Sequence, residues 1–339
     1  MKKRPFALIL ALTLSLAFLF SSCASKPKSY SATYFDYFNT FSTLTAYAES
    51  NEEFENYKKI FSDTLSKYHD LLTTNESVDG VKNIHYLNEH AAIEPVEVSK
   101  EMIDFLIFAK DAYSITNGYT SLTLGSVTVI WKDALESETL PENDLLKSAA
   151  KHTSIDSLMI SADVCTVSFS DPELKLDAGA LAKGYVSSIL YDKLKAEGCE
   201  AFLINLGGNL TAHGTKDNGR NWLAGIEDPC DIEALANMSI ALGERSISTS
   251  GSYNQFFIAN GETYHHIIDP YTSYPQNRFV SVSVITRDIA NADALSTALF
   301  SMSKEAGLEL VESIDNTEAI WITENGEYFT SSGFNNYIK

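Results

Sequence analysis

The sequence predicts an α+β fold: a single two-lobed catalytic domain over residues 35–339, with a mixed, largely antiparallel sheet and packed helices. Helical periodicity is concentrated in the first half of the chain, whereas short β-forming runs dominate after Ser246. Asn260-Gly261 and Asn325-Gly326 each separate two such runs, and Asn-Gly is a strong hairpin signal. Strands joined by tight turns pair antiparallel, so a doubly wound parallel sheet is disfavoured.

The first predicted elements are a strand and two helices. Residues 41–48 alternate and carry β-formers, which predicts a strand. Apolar residues spaced three and four apart then predict a helix: Phe54, Tyr57, Phe61, Leu65, Tyr68 and Leu72. A second helix begins at Ser99, whose side chain can cap the free amides of the first turn, and it ends at Asn117-Gly118.

The predicted elements become shorter further along the chain. Residues 158–169 predict a hairpin, and residues 180–197 predict a helix that ends at Gly198. The other predicted elements are a short helix at 143–151, strands at 201–206 and 222–226, and a helix at 291–302. No low-complexity tract or Pro/Gly/Ser-rich linker interrupts the chain after residue 32, which favours one catalytic unit.

The amino terminus has the pattern of a bacterial lipoprotein signal. Three cations at 2–4 precede an uncharged apolar run at 6–20, and small residues lead into Cys23. The run is shorter than the ~20 apolar residues of a spanning helix. We therefore predict a signal peptide over 1–22, and a lipidated cysteine with a flexible tether over 23–34. The lipid would hold the domain at the extracytoplasmic face of the cell membrane; simple secretion and an uncleaved anchor are the alternatives.

The chain is strongly acidic. Its formal net charge is −20, and it becomes −23 when the three cations of the signal are removed. This charge repels polyanions, and the basic residues are scattered along the chain and form no cluster. We therefore expect no nucleic acid among the partners.

The cysteines carry little information about function. Apart from Cys23 they are odd in number and have neither Cys-x-x-Cys nor Cys/His ligand spacing: Cys165, Cys199 and Cys230. This disfavours a disulfide framework and a zinc site, although one bridge stays open.

The most unusual segment is HHIIDPYTSYP at 265–275. It combines two imidazoles, a carboxylate and two prolines within a few residues. Asp-Pro favours a turn, and paired histidines also occur as satisfied structural groups at strand ends. The segment therefore predicts a site only together with the other unusual segments of the same half of the chain.

LDAGALAKGY at 176–185 predicts a phosphate-binding turn. Gly179 and Gly184 flank the first turn of the predicted helix and Lys183 lies within it, so free amides and one cation come together. The spacing is neither that of a P-loop nor that of a dinucleotide-binding fingerprint. The alternative is a tight strand-to-helix turn with a surface lysine.

Two further segments are predicted to line a ligand. INLGGN at 204–209 places Gly207-Gly208 after an apolar strand, where a ligand can approach the backbone and two asparagines offer hydrogen bonds. TSGSYN at 249–254 adds hydroxyls, a glycine and Tyr253, whose ring can stack on a planar ring. A plain turn is the alternative for each segment.

DALST at 293–297 predicts a metal site. Asp293 and Thr297 are four residues apart on a predicted helix, so they present two oxygens on one face. Mg2+ prefers hard oxygen ligands, with few carboxylates and with phosphate oxygens and water. An aspartate favoured by the helix dipole is the structural alternative. No Gly-x-Ser-x-Gly motif occurs, which disfavours serine-hydrolase chemistry.

In their order along the chain, LDAGALAKGY, INLGGN, STSGSY, HHIIDP and ADALSTALF resemble the FAD:protein FMN transferase (ApbE-like flavin transferase) family. Weaker blocks at 38–47, 74–88 and 118–131 extend the resemblance over roughly residues 35–335. The resemblance implies a Mg2+-dependent enzyme that cleaves the FAD pyrophosphate, transfers FMN to a Thr or Ser hydroxyl of a partner protein, and releases AMP.

The resemblance also implies roles for individual residues. Mg2+ would be held by Asp293, Thr297 and the main-chain carbonyl of Ala180. The catalytic residues would be His266, Asp269 and Lys183. The group that accepts the proton of the acceptor hydroxyl stays open, with His266 as a candidate. The substrate FAD would contact Ala180, Lys183, Asn205, Gly207, Gly208, Asn209, Thr249, Ser250, Gly251, Tyr253, His266 and Ile267.

The chain departs from the family pattern at Asn39, Ser121, Asn254 and Ser273. Two other functions use the same segments. With water as the acceptor the site would be an FAD diphosphatase, and a protein that holds FAD intact would be a non-catalytic FAD-binding lipoprotein. No FMN-accepting domain is visible in the chain, so the expected partner is an exported or membrane flavin-acceptor protein of an electron-transfer system.

Overall fold

The computed structural model describes residues 26–339, apart from 217, 234, 236 and 237. Its strands are β1 (Lys28–Tyr37), β2 (Thr40–Ala48), β3 (Val96–Glu97), β4 (Leu158–Ser161), β5 (Thr166–Phe169), β6 (Phe202–Leu206), β7 (Asn209–His213), β8 (Leu223–Gly225), β9 (Ser239–Ala241), β10 (Ser246–Gly251), β11 (Phe256–Ala259), β12 (Glu262–His265), β13 (Ile268–Asp269), β14 (Tyr274–Pro275), β15 (Ser281–Thr286), β16 (Glu318–Ile322) and β17 (Tyr328–Thr330). Its α-helices are α1 (Asn51–Leu72), α2 (Ile84–His90), α3 (Lys100–Ile115), α4 (Gly125–Ser137), α5 (Asn143–Ala149), α6 (Ala182–Ala196), α7 (Asn291–Ser301) and α8 (Lys304–Glu312).

Eight strands form one antiparallel sheet, in the order β1-β2-β6-β7-β10-β15-β16-β17. The smaller sheets are β3-β5-β4, β8-β9, β11-β12 and β13-β14. Two-residue turns join β1 to β2 and β6 to β7, and all four turn residues have positive φ: Phe38, Asn39, Gly207 and Gly208. Such turns match the twist of the flanking strands and so set their register.

Helices cover one face of the large sheet. The core on that face includes Leu44 of β2, Phe61 of α1 and Phe202 of β6, each with no exposed surface. Helix α7 packs against β10 and β15. Ile247 and Ile285 belong to a separate core on the opposite face. Side chains alternate along each strand, so successive residues of one strand enter the cores on opposite faces of the sheet.

The prediction of an α+β fold with a largely antiparallel sheet is confirmed. Ser99 caps α3 as predicted, accepting a hydrogen bond from the Met102 amide at 3.2 Å. The Asn260-Gly261 turn joins β11 to β12, also as predicted. Helices α2, α4 and α8 are not predicted from the sequence. The run of α4 contains β-branched residues, but Val127 and Trp131 are buried on one helical face, so packing overrides local propensity.

The predicted tether is wrong from Lys28 onwards, because residues 28–34 belong to β1 and pair with β2. The segment is polar in composition, yet Tyr30 stacks on Phe54 of α1 with ring centroids 5.2 Å apart. An edge strand needs only one packed face, which composition alone does not reveal. The predicted signal peptide over 1–22 and Cys23 lie outside the described residues. In the part of the chain that the structure describes, no helix has the length and apolarity to cross a bilayer.

Candidate active site

Helices α6 and α7 begin beside each other, and the N-cap residue of neither helix makes a side-chain capping bond. The amide of Gly184, in the first turn of α6, donates a hydrogen bond of 3.3 Å to Oδ2 of Asp293 in the first turn of α7. A Cβ on Gly184 would lie 2.5 Å from the Ala290 carbonyl oxygen, so only glycine permits this approach. Because the positive ends of both helix dipoles meet here, the position favours an anion.

Asp293 is the buried centre of this position, with 4% of its surface exposed. Its Oδ2 lies 3.4 Å from Nζ of Lys183, and its Oδ1 lies 3.4 Å from Oγ of Ser248. Charge-assisted hydrogen bonds are usually about 2.7–2.9 Å long. The contacts of Asp293 are longer, which leaves its carboxylate lone pairs available to a ligand.

A chain of polar groups connects Asp293 to the sheet. Ser248 Oγ lies 2.6 Å from Asn209 Oδ1 and 3.2 Å from Ser296 Oγ. Ser250 Oγ lies 2.9 Å from Ser296 Oγ and 3.4 Å from Thr297 Oγ1. Together these residues are the Asp293 cluster: Lys183, Asn209, Ser248, Ser250, Asp293, Ser296 and Thr297. Nδ2 of Asn209 is buried and has no partner among the described residues, a costly state that a ligand acceptor would relieve.

The oxygen donors around Asp293 suit a hard cation. Asp293 and Thr297 lie one turn apart on α7, as predicted. The amide of Gly184 donates to Asp293, and no hydrogen bond to the Ala180 carbonyl forms within the described ranges. A carboxylate, a hydroxyl and a free carbonyl are ligands that Mg2+ accepts. The described residues contain no group of three or more His, Cys, Asp or Glu that could hold a metal. A cation here therefore needs main-chain and substrate oxygens.

Strand alternation separates the predicted ligand residues into two groups. Ser248 and Ser250 face α7, whereas Thr249 points to the other side of the sheet, where its Oγ1 lies 2.7 Å from Ser283 Oγ. Asn205 pairs with Leu210, which packs in the core on that opposite face. The side chains of Asn205 and Thr249 therefore do not join the Asp293 cluster.

Gly207 and Gly208 form the turn between β6 and β7, with φ values of +58° and +93°. Asn205 Oδ1 accepts a hydrogen bond of 2.9 Å from the Gly208 amide. A Cβ on Gly207 would lie 2.6 Å from Oγ1 of Thr40. The glycines are thus required by the turn itself, and the turn directs Asn209 towards the Asp293 cluster.

Tyr253 lies close against the backbone at the end of β10. A Cβ on Gly251 would lie 2.2 Å from Cε1 of the Tyr253 ring. Burial first, and then the nearby Glu227 carboxylate, raise the pKa of the Tyr253 hydroxyl above its ordinary value. The ring borders a cleft of about 330 Å³. Gly251 therefore sets the position of an aromatic ring beside an open cleft.

The adjacent histidines have different environments. His265 has no exposed surface, its ring meets Phe300 edge to face, and its Nδ1 accepts a hydrogen bond from the Ile267 amide. Burial lowers the pKa of His265 to about 4. His266 is exposed at the surface, and desolvation by neighbouring protein atoms, followed by the nearby charge of Lys183, lowers its pKa as well. His266 therefore is the histidine near Lys183, and His265 is structural.

The turn after Asp269 is held by local hydrogen bonds. Asp269 is buried, and its Oδ1 accepts a hydrogen bond of 2.8 Å from the Tyr271 amide. Trp131 of α4 donates from its indole nitrogen to the Ser273 carbonyl at 2.8 Å. Ser273 has a φ of +60°, the region that favours glycine, so serine is the less favourable residue for this turn.

The sequence model of the ApbE family matches residues 38–321. The chain belongs to the ApbE family. An FAD:protein FMN transferase from Klebsiella pneumoniae (strain 342) is 31% identical over 270 residues, covering 79% of this chain and 82% of that relative. One from Vibrio cholerae is 32% identical over 228 residues, covering 66% and 68%. The predicted family is therefore confirmed, and with it the prediction that the chain is an enzyme.

Solved structures of ApbE proteins have the same fold. The flavin transferase ApbE from Vibrio cholerae superposes with a TM-score of 0.78 at 25% identity, covering 91% of this chain and 100% of that chain. The ApbE protein from Thermotoga maritima superposes with a TM-score of 0.82 at 24% identity, covering 92% and 100%. The sheet and helices that position the Asp293 cluster thus follow the ApbE fold.

Several residues around the site of this ApbE chain are not predicted from the sequence. Ser248 and Ser296 complete the Asp293 cluster. Residues two apart on a strand share a face, so the prediction of Ser250 as a ligand residue also indicates Ser248. Asp177 lies 2.8 Å from Nζ of Lys132 and accepts a hydrogen bond of 2.9 Å from the Gly179 amide. Burial opposes the ionised form of Asp177, but the charge of Lys132 together with the hydrogen bonds from Lys132, Thr128 and the Gly179 amide lowers the pKa. An ionised Asp177 therefore holds the turn that precedes α6.

We expect the buried His265 to make the ApbE fold less stable in acid. The unfolded chain binds a proton at this residue near pH 6.5, whereas the folded chain binds it only near pH 4. The free energy of unfolding should therefore fall by about 3 kcal/mol between these pH values through His265 alone. Denaturant unfolding of wild type and His265→Gln across pH 4–7 tests this. The variant should show a smaller pH slope, and parallel slopes would contradict the assignment.

Proposed function

We propose that this enzyme transfers FMN from FAD to a Thr or Ser hydroxyl of a partner protein and releases AMP, in a Mg2+-dependent reaction. The observation that carries the proposal is the Asp293 cluster, where one buried carboxylate, Lys183 and the amino ends of two helices meet. These groups suit a metal-bound pyrophosphate. The relatives named FAD:protein FMN transferases support the same activity.

Asp293, Thr297 and the carbonyl of Ala180 would hold Mg2+, which would neutralise charge on the phosphoryl oxygens. Lys183 lies 3.4 Å from Asp293 and would place its ammonium group on a pyrophosphate oxygen. Asn209 would donate its unsatisfied Nδ2–H to the same anion. These residues bind and orient FAD so that the bond between its two phosphates is accessible to the acceptor.

His266 is our candidate for the group that takes the proton of the acceptor hydroxyl. The desolvation that lowers its pKa favours the neutral imidazole, which is the form that accepts a proton. Asp269 would act by holding the turn that follows His266, through its bond to the Tyr271 amide. The remaining contacts to FAD would come from Asn205, Gly207, Gly208, Thr249, Ser250, Gly251, Tyr253 and Ile267.

The proposed setting is the outer face of the cell membrane. We infer a lipid on Cys23 that anchors the enzyme there, after removal of residues 1–22. The acceptor would then be an exported or membrane protein of an electron-transfer system. Labelling of cells with a fatty-acid analogue tests the anchor, since Cys23→Ser should abolish incorporation into this chain.

The test of the activity is to incubate the chain from residue 24 with FAD and Mg2+, with and without a Thr-containing carrier protein from a flavinylated redox complex. Products are followed by chromatography and intact mass. AMP together with a carrier heavier by one FMN establishes the transferase. AMP and free FMN without any carrier would identify an FAD diphosphatase, and intact FAD under all conditions would leave a binding protein.

We expect Gly251→Ala to weaken FAD binding selectively. The new methyl group occupies the space of the Tyr253 ring, so the ring must turn away from its position beside the cleft. Loss of one aromatic stacking contact should raise the KM for FAD about tenfold. Steady-state kinetics measure this, with Tyr253→Ala expected to match it and Gly225→Ala, which meets open space, expected to have no effect. An unchanged KM for FAD in Gly251→Ala would exclude a role of the ring.

A further inference from the structure

The hairpin β11-β12 has one open edge. It forms a two-stranded sheet, and its turn residues Asn260 and Gly261 both have positive φ. In this type of hairpin the pairs Ala259/Glu262 and Phe257/Tyr264 exchange hydrogen bonds. The N–H and C=O groups of Phe256 and Ile258 therefore point away from β12, and among the described residues no other element bonds to them.

The side chains on this strand divide into an anchoring set and an open set. Phe257 stacks on Tyr264, which in turn stacks on Trp131, so the hairpin is held to α4. Phe256 and Ile258 are 48% and 67% exposed. Natural edge strands are commonly protected by lysine, proline or a covering element. The β11 strand, FFIA, carries neither lysine nor proline.

The strand β11 begins beside the His266 segment of the candidate active site. The pair next to Phe256 is Gln255 and His266, joined by a hydrogen bond of 3.2 Å from the His266 amide to the Gln255 carbonyl. Phe256 also lines the cleft of about 330 Å³ beside Tyr253. A chain segment that paired with β11 would run along the side of β11 that faces away from β12, so its backbone would lie two strand spacings, about 10 Å, from the backbone of His266. Its side chains and the His266 side chain could span that distance.

We propose that the β11 edge binds an extended segment of the flavin-acceptor protein and so delivers its Thr or Ser hydroxyl to His266. This rests on the proposed function, because transfer to a protein requires an acceptor segment to reach the site. An extended backbone is the form that an open strand edge recognises. The exposed carboxylates Glu262 and Glu324 border the same cleft, so the segment should be basic or free of acidic residues.

Ile258→Pro tests the backbone contact, since it removes the outward N–H and proline is tolerated at edge positions. We expect the KM for the carrier protein to rise about tenfold or more, the effect of losing roughly one backbone hydrogen bond, with FAD affinity by fluorescence unchanged. Leu223→Pro is the matched control. Leu223 lies on the two-stranded sheet β8-β9 and is 48% exposed. Because the Leu242 amide donates to the Trp222 carbonyl, the N–H of Leu223 points away from β9, as the N–H of Ile258 points away from β12.

A second variant and a measurement on wild type keep the proposal testable if the proline variant misfolds. Phe256→Ser with Ile258→Ser keeps both amides and should raise the carrier KM through lost apolar contact. In wild type, amide hydrogen exchange at Phe256 and Ile258 should slow when carrier is added. If wild type transfers FMN to the carrier and both variants keep the wild-type KM for the carrier, the edge proposal is wrong while the proposed function stands. A concentration-dependent dimer of wild type that Ile258→Pro does not form would also overturn the edge proposal, because a second copy of the chain would then cover the edge. A wild type that transfers no FMN would instead refute the proposed function.

Discussion

Gly184→Ala is expected to abolish most activity and to destabilise the fold. Alanine at a helix position normally stabilises a protein relative to glycine by about 0.5–1 kcal/mol. At Gly184, however, the added Cβ would lie 2.5 Å from the Ala290 carbonyl oxygen and 2.9 Å from Cβ of Asp293. The oxygen is backbone and cannot rotate away, so α6 and α7 must separate.

This separation acts on stability and turnover together. The free energy of unfolding should fall by roughly 1–3 kcal/mol, as for other overpacked cores. Turnover should fall at least about 100-fold, because a shift of about 1 Å misplaces Asp293 against Lys183. Denaturant unfolding and AMP release measure the two effects. Gly225→Ala is the control, since its Cβ meets open space. A Gly184→Ala enzyme with normal turnover would contradict the proposed role of the α6–α7 contact.

Asp293→Asn should lower Mg2+-dependent AMP release at least about 100-fold, the usual effect of removing one preorganised charge from a reacting centre. The substitution keeps the size of the side chain and removes the negative charge of Asp293, a residue with only 4% of its surface exposed. Titration of Mg2+ into the enzyme with FAD bound should also show weaker metal binding, a readout that does not depend on turnover.

Two further variants separate this metal role from a structural one. Thr297→Ala should have a smaller effect than Asp293→Asn, and Thr297→Ser should restore binding because the hydroxyl returns. Asp288→Asn is the matched control: Asp288 accepts hydrogen bonds from Asn291 at the start of α7 but lies outside the Asp293 cluster. Equal metal affinity in wild type and Asp293→Asn would exclude Asp293 as a ligand.

Sequence pattern was most informative where a residue acts through its position in a local element. The spacing of Asp293 and Thr297 on one helical face, the cap at Ser99 and the Asn260-Gly261 hairpin each depend on neighbours a few residues away. The order of these segments along the chain also identified the family.

The sequence pattern was misleading for β1 and α4, where the composition of a segment does not reveal the contacts that the segment makes. Residues 28–34 are polar and were predicted as a tether, but β1 pairs with β2 and packs on α1. Helix α4 contains β-branched residues that give no helical signal, yet Trp131 from this helix fixes the turn at Ser273. The packing of β1 on α1 and the bond from Trp131 to Ser273 both depend on residues outside the segment whose composition was considered.

By itself, the sequence determined the fold class, the family and the residue types that an anionic, metal-binding site requires. Only the tertiary structure decided which of these residues meet. Alternation along β10 sends Ser248 and Ser250 to Asp293 and Thr249 to the opposite face. The approach of α6 to α7 at Gly184 creates the cluster, and burial separates the structural His265 from the exposed His266. The physical reason is that local spacing sets which way a side chain points on its own element, whereas packing between elements sets what it meets.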